Sequence, residues 1–385
     1  MNFDTPIDRS ATFSVKYDER RHKFGRDAVI PLWVADMDLP TTPVIVEALR
    51  RRAAHPIYGY TIYPDAFYEA IVSWMGRHDW PVMHEWIVPI PGVVPTLELI
   101  VEALSDPGDG ILVQPPVYHP FLKLGAKHGR HLLSNPLRLT KEGYRIDFKD
   151  FEAKVKRAKL FVLCSPHNPV GRAWREEELR QMADLCTRYG CLMVSDEVHA
   201  DILYPPHRHI PVATLEGIGP VITLNSPGKS FNTAGLGIAY AIVPDASIRR
   251  RLAATLRRYD LTMGNPFGIE ALTAAYTPAG AAWLQELLGY LATNATFIRD
   301  FLSRQIPAIR PTLLEATYLM WLDCRDLGLD DRALERFFID RAGLGLNAGH
   351  TFGEGGSGFM RLNLATPRPV LRLAMERLKE AIQSA

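Results

Sequence analysis

The stretch VITLNSPGKSFNTAGLGIAYAIVP (221–244) holds two apolar, β-branched runs, VITLNS (221–226) and GIAYAIVP (237–244), on either side of a turn that carries Lys229. Short runs of this kind, bounded by Pro and Gly, read as strands covered on both faces. Five more precede them: WIVPI (86–90), GILVQ (110–114), HLLSNPL (131–137), KLFVLCSP (159–166) and CLMVSDE (191–197). Between them, PTLELIVEALS (95–105), DFEAKVKRAK (150–159) and REEELRQMADLCTRYG (175–190) have helical spacing and good helix formers. The last of these ends on a glycine suited to a C-cap. Strands alternating with helices predict an α/β fold, with a large, seven-stranded, mainly parallel sheet between helices.

The chain ends read differently. PLWVADMDLP (31–40) is an extended segment, while TYLMWLDC (317–324) and GFMRLNLATP (358–367) resemble strands of a separate, smaller α+β unit. At 385 residues the chain exceeds what one hydrophobic core usually serves. The expected division is an N-terminal arm with part of the small domain (1–45), a large domain (46–280) and a C-terminal small domain (281–385). With 44 basic against 43 acidic side chains, the net charge of +1 gives no reason to expect nucleic acid or an anionic membrane as partner. The arginines of LRRR (49–52) and IRRRLAATLRRYD (248–260) read as solvated helix faces. Cys164, Cys186, Cys191 and Cys324 form no CxxC pair and read as reduced, buried residues. No basic stretch followed by an apolar run opens the chain, and no segment approaches the length of a membrane span. A soluble, cytoplasmic protein is expected.

Ser226-Pro227-Gly228-Lys229 matches the Ser-x-x-Lys of one class of acyl-transfer enzymes. Those enzymes place both side chains on one helix turn, and Pro227 and Gly228 are poor residues for a helix interior. Their companion Lys-Thr-Gly and Ser-Asp-Asn elements are absent. Lys229 then emerges beyond a strand end, where open α/β sheets bind ligands. Other strand ends supply matching groups. LMVSDEVH (192–199) ends with Asp196, Glu197 and His199, and LFVLCSPHNPVG (160–171) with His167 and Asn168. WIVPIPGVVP (86–95) ends with Gly92, Val93 and Val94 at a helix start, a cradle for an anion. Each has a bland reading as a cap or an exposed charge; their convergence on one crevice is the signal. A carboxylate for a pyridine nitrogen, an amide for a ring hydroxyl, a helix N-terminus for phosphate and a lysine for an aldehyde suit pyridoxal-phosphate chemistry.

The collected motifs PLWVADMD (31–38), YGYT (58–61), PGVVPTLELIVEAL (91–104), PGDGILVQPPVYHPF (107–121), SPHNPVGRAW (165–174), SDEVHADILY (195–204), GKSFNTAGL (228–236), ATYLMWLDC (316–324) and GFMRLNLATP (358–367) span nearly the whole chain. In them the sequence resembles fold-type I pyridoxal-phosphate enzymes of the class I/II aminotransferase superfamily, whose fold is aspartate aminotransferase-like. It is most similar to the cystathionine β-lyase-like carbon–sulfur lyase branch. The resemblance implies that Lys229 is the Schiff-base lysine, that Asp196 partners the pyridine nitrogen, and that Asn168 binds the ring hydroxyl. His199 stands where many relatives place a tyrosine facing that oxygen, and Tyr118 would stack on the ring. Gly92, Val93, Val94 and Ser226 would hold the phosphate, as would Tyr60 from a neighbouring subunit, which implies a homodimer. Arg361, with Asn168, would bind the substrate, its guanidinium clamping the α-carboxylate.

Four positions depart from the pattern. Gly228 stands where serine is usual and Ser226 where alanine is common, Gly237 replaces a phosphate-binding arginine of some relatives, and Ala348 replaces a frequent aspartate. GEGGSG (353–358) lacks the strand-before, helix-after setting of a dinucleotide site and reads as a mobile loop. HRHIP (207–211) reads as a surface loop, and no metal site is expected. The resemblance favours β-elimination from a cysteine-type amino acid; an aminotransferase would use the same residues, and a regulatory protein retaining the fold is the third reading.

Overall fold

The computed structural model describes residues 1–384. All seven apolar runs form strands of one sheet: β1 (Ile87–Ile90), β2 (Gly110–Val113), β3 (His131–Ser134), β4 (Ala158–Cys164), β5 (Leu192–Asp196), β6 (Val221–Asn225) and β7 (Ala239–Ile242). Their order across the sheet is β1-β7-β6-β5-β4-β2-β3. Only β7 runs antiparallel to its neighbours, which are β1 and β6. Both faces are covered, as the continuous apolar runs require. Phe161 and Leu163 of β4 pack with the helices Phe148–Val155 and Glu176–Tyr189, and Leu160 and Val162 with the helices Val93–Leu104 and Ala246–Arg258. The edge strand β3 is the exception and exposes His131 and Leu132.

Element ends differ from the sequence reading for local reasons. The run at 131–137 stops at Ser134, since Pro136 has no N–H for a ladder. The helix read from Asp150 begins at Phe148, because Asp147 caps it by accepting from the Asp150 N–H at 3.2 Å. Gly190 ends its helix in the left-handed region, φ 66°, as expected. The larger correction concerns Pro227 and Gly228. Pro227–Ser230 does form one helical turn, with Ser226 as N-cap and Pro227 in the first position, where its missing N–H costs nothing.

The smaller sheet has the order β8-β9-β11-β10, all antiparallel: β8 (Arg310–Pro311), β9 (Leu319–Asp323), β10 (Asn347–Ala348) and β11 (Phe359–Asn363). The helices Pro278–Gln305 and Arg368–Gln383 share an apolar cluster with it. The arm joins this unit by parallel pairing of Ile30–Pro31 with Leu344–Gly345. All four cysteines are free and buried. Among the described residues, no helix is long and apolar enough to cross a membrane.

Candidate active site

The strands β4, β5 and β6 lie side by side, with Cys164 in register with Asp196 and Asp196 with Leu224. Their carboxyl ends therefore deliver Asn168, Asp196 and Ser226–Lys229 to one crevice. Because β7 runs the other way, its start, preceded by Gly237 and Ile238, meets the carboxyl end of β1, from which Gly92–Val94 emerge. The result is a cavity of ≈ 250 Å³, whose lining includes Gly92, Val93, Val94, Tyr118, Asn168, Asp196, His199, Ser226 and Lys229. Nine of the expected residues thus line one cavity. Arg361 stands at its side, since its Nη1 donates to Asn168 Oδ1 at 3.0 Å. Tyr60 is elsewhere: it is 95% exposed, in a loop outside this cavity.

Electrostatics single out three groups. Lys229 is half-buried in the cavity wall, and loss of solvent, with the nearby Arg361 charge, lowers its amine from the usual lysine range to about 8. Its Nζ donates to the Ala35 carbonyl at 2.7 Å. Burial pushes the Asp196 carboxyl up to about 7, against the pull of the Val198 N–H and of Lys229. Arg361 is buried, makes no ion pair among the described residues, and is brought down to about 10 by desolvation. Its Nη2 donates to Trp33 O at 2.8 Å and to Asn347 Oδ1 at 2.9 Å, and its Nε has no partner. A buried guanidinium without a counter-ion is a receptor for a carboxylate from outside the chain.

Other polar groups are arranged around these. The Arg361 bond occupies Asn168 Oδ1 and so leaves the amide N–H₂ to donate elsewhere. Burial holds His199 neutral, and its Nδ1 has no partner. No side chain caps the helix Val93–Leu104, so the Val93 and Val94 N–H groups are open to an anion, and Pro95 adds none. Ser226 Oγ accepts from the Gly228 N–H at 3.0 Å and donates to Ile238 O at 2.7 Å, so its only proton already has an acceptor.

The departures from the pattern have local causes. A Cβ at Gly228 would meet Ser226 Oγ at 3.1 Å and Ala234 Cα at 3.3 Å, so a side chain at 228 is crowded by the hydroxyl at 226 and by the Ala234 backbone. Gly237 has φ +57°, where an arginine would be strained. Ala348 is buried in an apolar cluster that would penalise an aspartate. The loop HRHIP needs a correction: the His209 side chain is buried, and its Nε2 meets Glu197 Oε2 at 2.8 Å.

Sequence reasoning did not assign Trp33, Ala35 and Asn347 to the site. The first two act through carbonyls, which any residue supplies; their signal was the WVADMD segment itself. Asn347 lies beside the flagged Ala348 and opposite Arg361 across β10 and β11.

Known proteins share this fold. The chain is 41% identical over 388 residues to cystathionine beta-lyase PatB of Bacillus subtilis (strain 168), covering 99% of this chain and 100% of the relative. It superposes on cystalysin from Treponema denticola, which contains a pyridoxal 5'-phosphate cofactor, with a TM-score of 0.95 at 32% identity, covering 100% and 99% of the two chains. The PLP-bound C–S lyase from Staphylococcus hominis gives a TM-score of 0.91 at 32% identity, covering 99% and 98%. With residues 27–378 matching the family aminotransferase class I and II, the chain belongs to that family.

Proposed function

We propose that the chain is a pyridoxal-phosphate-dependent carbon–sulfur lyase. It removes the β-thiolate from cystathionine or another S-substituted cysteine, giving a thiol, pyruvate and ammonia. The observation that carries this reading is the end-to-end likeness to a cystathionine beta-lyase in a chain whose Lys229, Asp196, Asn168 and Arg361 gather at one crevice.

The residues fit the cofactor. Lys229 would offer its amine to the aldehyde and Asp196 a carboxyl to the ring nitrogen, while His199 and the Asn168 amide line the same cavity and would meet the ring oxygen. The Val93 and Val94 N–H groups, with Gly92 beside them, would receive the phosphate, and Ser226 lines the same wall with its proton given to Ile238 O. Tyr118, in the cavity wall, would stack on the ring. Tyr60 completes the phosphate site of a second copy in a homodimer, a role suited to an aromatic that is bare in the single chain. The enzyme works in the cytoplasm.

When bound, pyridoxal phosphate supplies an electron sink for the pair left at the substrate Cα. The chain does the rest. Arg361 holds the α-carboxylate with its paired N–H groups and so fixes which Cα bond faces Lys229. Lys229 Nζ, once free, would take the Cα proton. Asp196 would hold a proton on the ring nitrogen, which the electron sink requires.

Incubation with cystathionine or an S-alkyl-cysteine, without added 2-oxo acid, is expected to release pyruvate, ammonia and free thiol. A strict need for an amino acceptor would make the protein an aminotransferase instead. No turnover of any amino acid, together with a tight protein partner, would favour a regulatory role.

Gly228→Ser alone is expected to weaken cofactor retention by roughly tenfold, the scale of overpacking one buried site. Ser226→Ala in the same chain is expected to recover part of it, because the two side chains compete for one space. Equilibrium dialysis of pyridoxal phosphate against the three proteins measures this.

A further inference from the structure

The segment Trp33–Asp38 is held from two sides. On the cavity side its carbonyls meet the site: Trp33 O accepts from Arg361 at 2.8 Å, and Ala35 O accepts from Lys229 at 2.7 Å and from the Tyr318 hydroxyl at 2.9 Å. Asn363 Nδ2 donates to both Val34 O and Asp36 O at 2.6 Å. One short strap therefore touches both Lys229, whose bond to the cofactor a substrate amine would replace, and Arg361, which would receive the substrate carboxylate.

Charge holds the other side. Arg9 bonds Asp36 Oδ2 at 2.6 Å and Asp38 Oδ1 at 2.7 Å, while Lys16 Nζ lies 2.8 Å from Asp38 Oδ2 and 3.6 Å from Asp36 Oδ1. Two cations face two anions. The Lys16 side chain is 0% exposed and that of Asp38 4%. Neither Arg9 nor Lys16 lines the cavity.

A buried ion cluster adds little net stability compared with apolar side chains of similar volume, yet removing one member leaves an uncompensated charge. What such a cluster does provide is a single allowed arrangement, since each carboxylate oxygen is fixed by a directed donor. Here the fixed object is the backbone that touches Lys229 and Arg361.

We propose that the quartet of Arg9, Lys16, Asp36 and Asp38 is a positioning device. It locks the strap so that the Trp33 and Ala35 carbonyls hold Arg361 and Lys229 in one fixed relative position. The proposal rests on the roles given above to those two residues. Arg9, Lys16, Asp36 and Asp38 are positioning residues and touch no reacting atom.

The test uses the holoenzyme carrying Lys16→Met with Asp38→Asn, which removes one charge of each sign. Arg9→Gln, at the half-exposed edge of the quartet, is a milder second variant. Hydrogen exchange is followed in peptides covering 33–38 and in peptides covering β4–β6. Affinity for L-alanine, which has the amine and carboxylate but no β leaving group, is read from the change it causes in cofactor absorbance. Exchange in 33–38 is expected to quicken roughly tenfold while the sheet is unchanged, as for a local opening. The apparent Kd for L-alanine is expected to rise roughly tenfold, the order expected when two groups of a site lose their fixed relative position. Unchanged exchange in 33–38, an equal rise in the sheet, or faster exchange without weaker alanine binding would each overturn the proposal. Both readouts are independent of elimination, so a protein that released no thiol would fail the lyase reading and leave this measurement standing.

Discussion

Lys229→Ala is expected to lower turnover by about three orders of magnitude or more, the scale of losing a positioned general base. The same substitution is expected to abolish covalent attachment of pyridoxal phosphate, read as the loss of borohydride-fixed label at position 229. In the native chain the amine stands at about 8 against an ordinary value of 10.5. At pH 7 this leaves about two orders of magnitude more neutral amine than an exposed lysine would have. The sign follows: attachment of the aldehyde to cofactor-free protein quickens as pH rises toward 8 and levels off above it. An ordinary lysine would keep accelerating to about pH 10. Stopped-flow absorbance from pH 6 to 10 separates the two profiles, and a rise continuing past pH 9 would contradict the desolvated setting of Lys229. A borohydride label at another lysine would remove the basis of the proposed reaction.

Arg361→Lys is expected to lower kcat/KM by about two orders of magnitude, with cofactor absorbance retained. An ammonium is a compact charge and does not reproduce the paired N–H face of a guanidinium. It would also leave the Trp33 carbonyl or the Asn168 and Asn347 side-chain oxygens short of a donor. The loss is expected mainly in KM, because the carboxylate clamp acts before and during the chemical step alike. Steady-state kinetics on one S-substituted cysteine measures the split. A kcat/KM within a few-fold of the parent would mean that the carboxylate is held elsewhere.

Much of this molecule was legible in the sequence, for a physical reason. A sheet covered on both faces writes itself as unbroken apolar runs, and β1 to β7 all coincide with such runs, β4 alone starting one residue ahead of its run. The ends of those runs carried Asn168, Asp196 and Lys229, so the crevice could be inferred from strand termini before any contact was known. Four features could not be read this way. The helical turn at Pro227–Ser230 was misjudged because proline is excluded from helix interiors but welcome in the first position. His209 lies in a polar loop yet has a buried side chain, because Glu197 waits for it beneath the surface. Lys16 in SVKYD looks like any solvated lysine, and only the folded chain brings Asp38 to it. Backbone acceptors such as Ala35 O have no side-chain signature at all.

The pairing of Ile30–Pro31 with Leu344–Gly345 has a consequence for biosynthesis. The strap follows directly on that first pairing segment, so its final seat depends on residues translated long after it. The strands of the large sheet, β1 to β7, are all made before Leu344–Gly345, so the crevice is finished only once that later segment has emerged. A nascent chain stopped before residue 344 would therefore emerge with its sheet formed and its catalytic mouth still open.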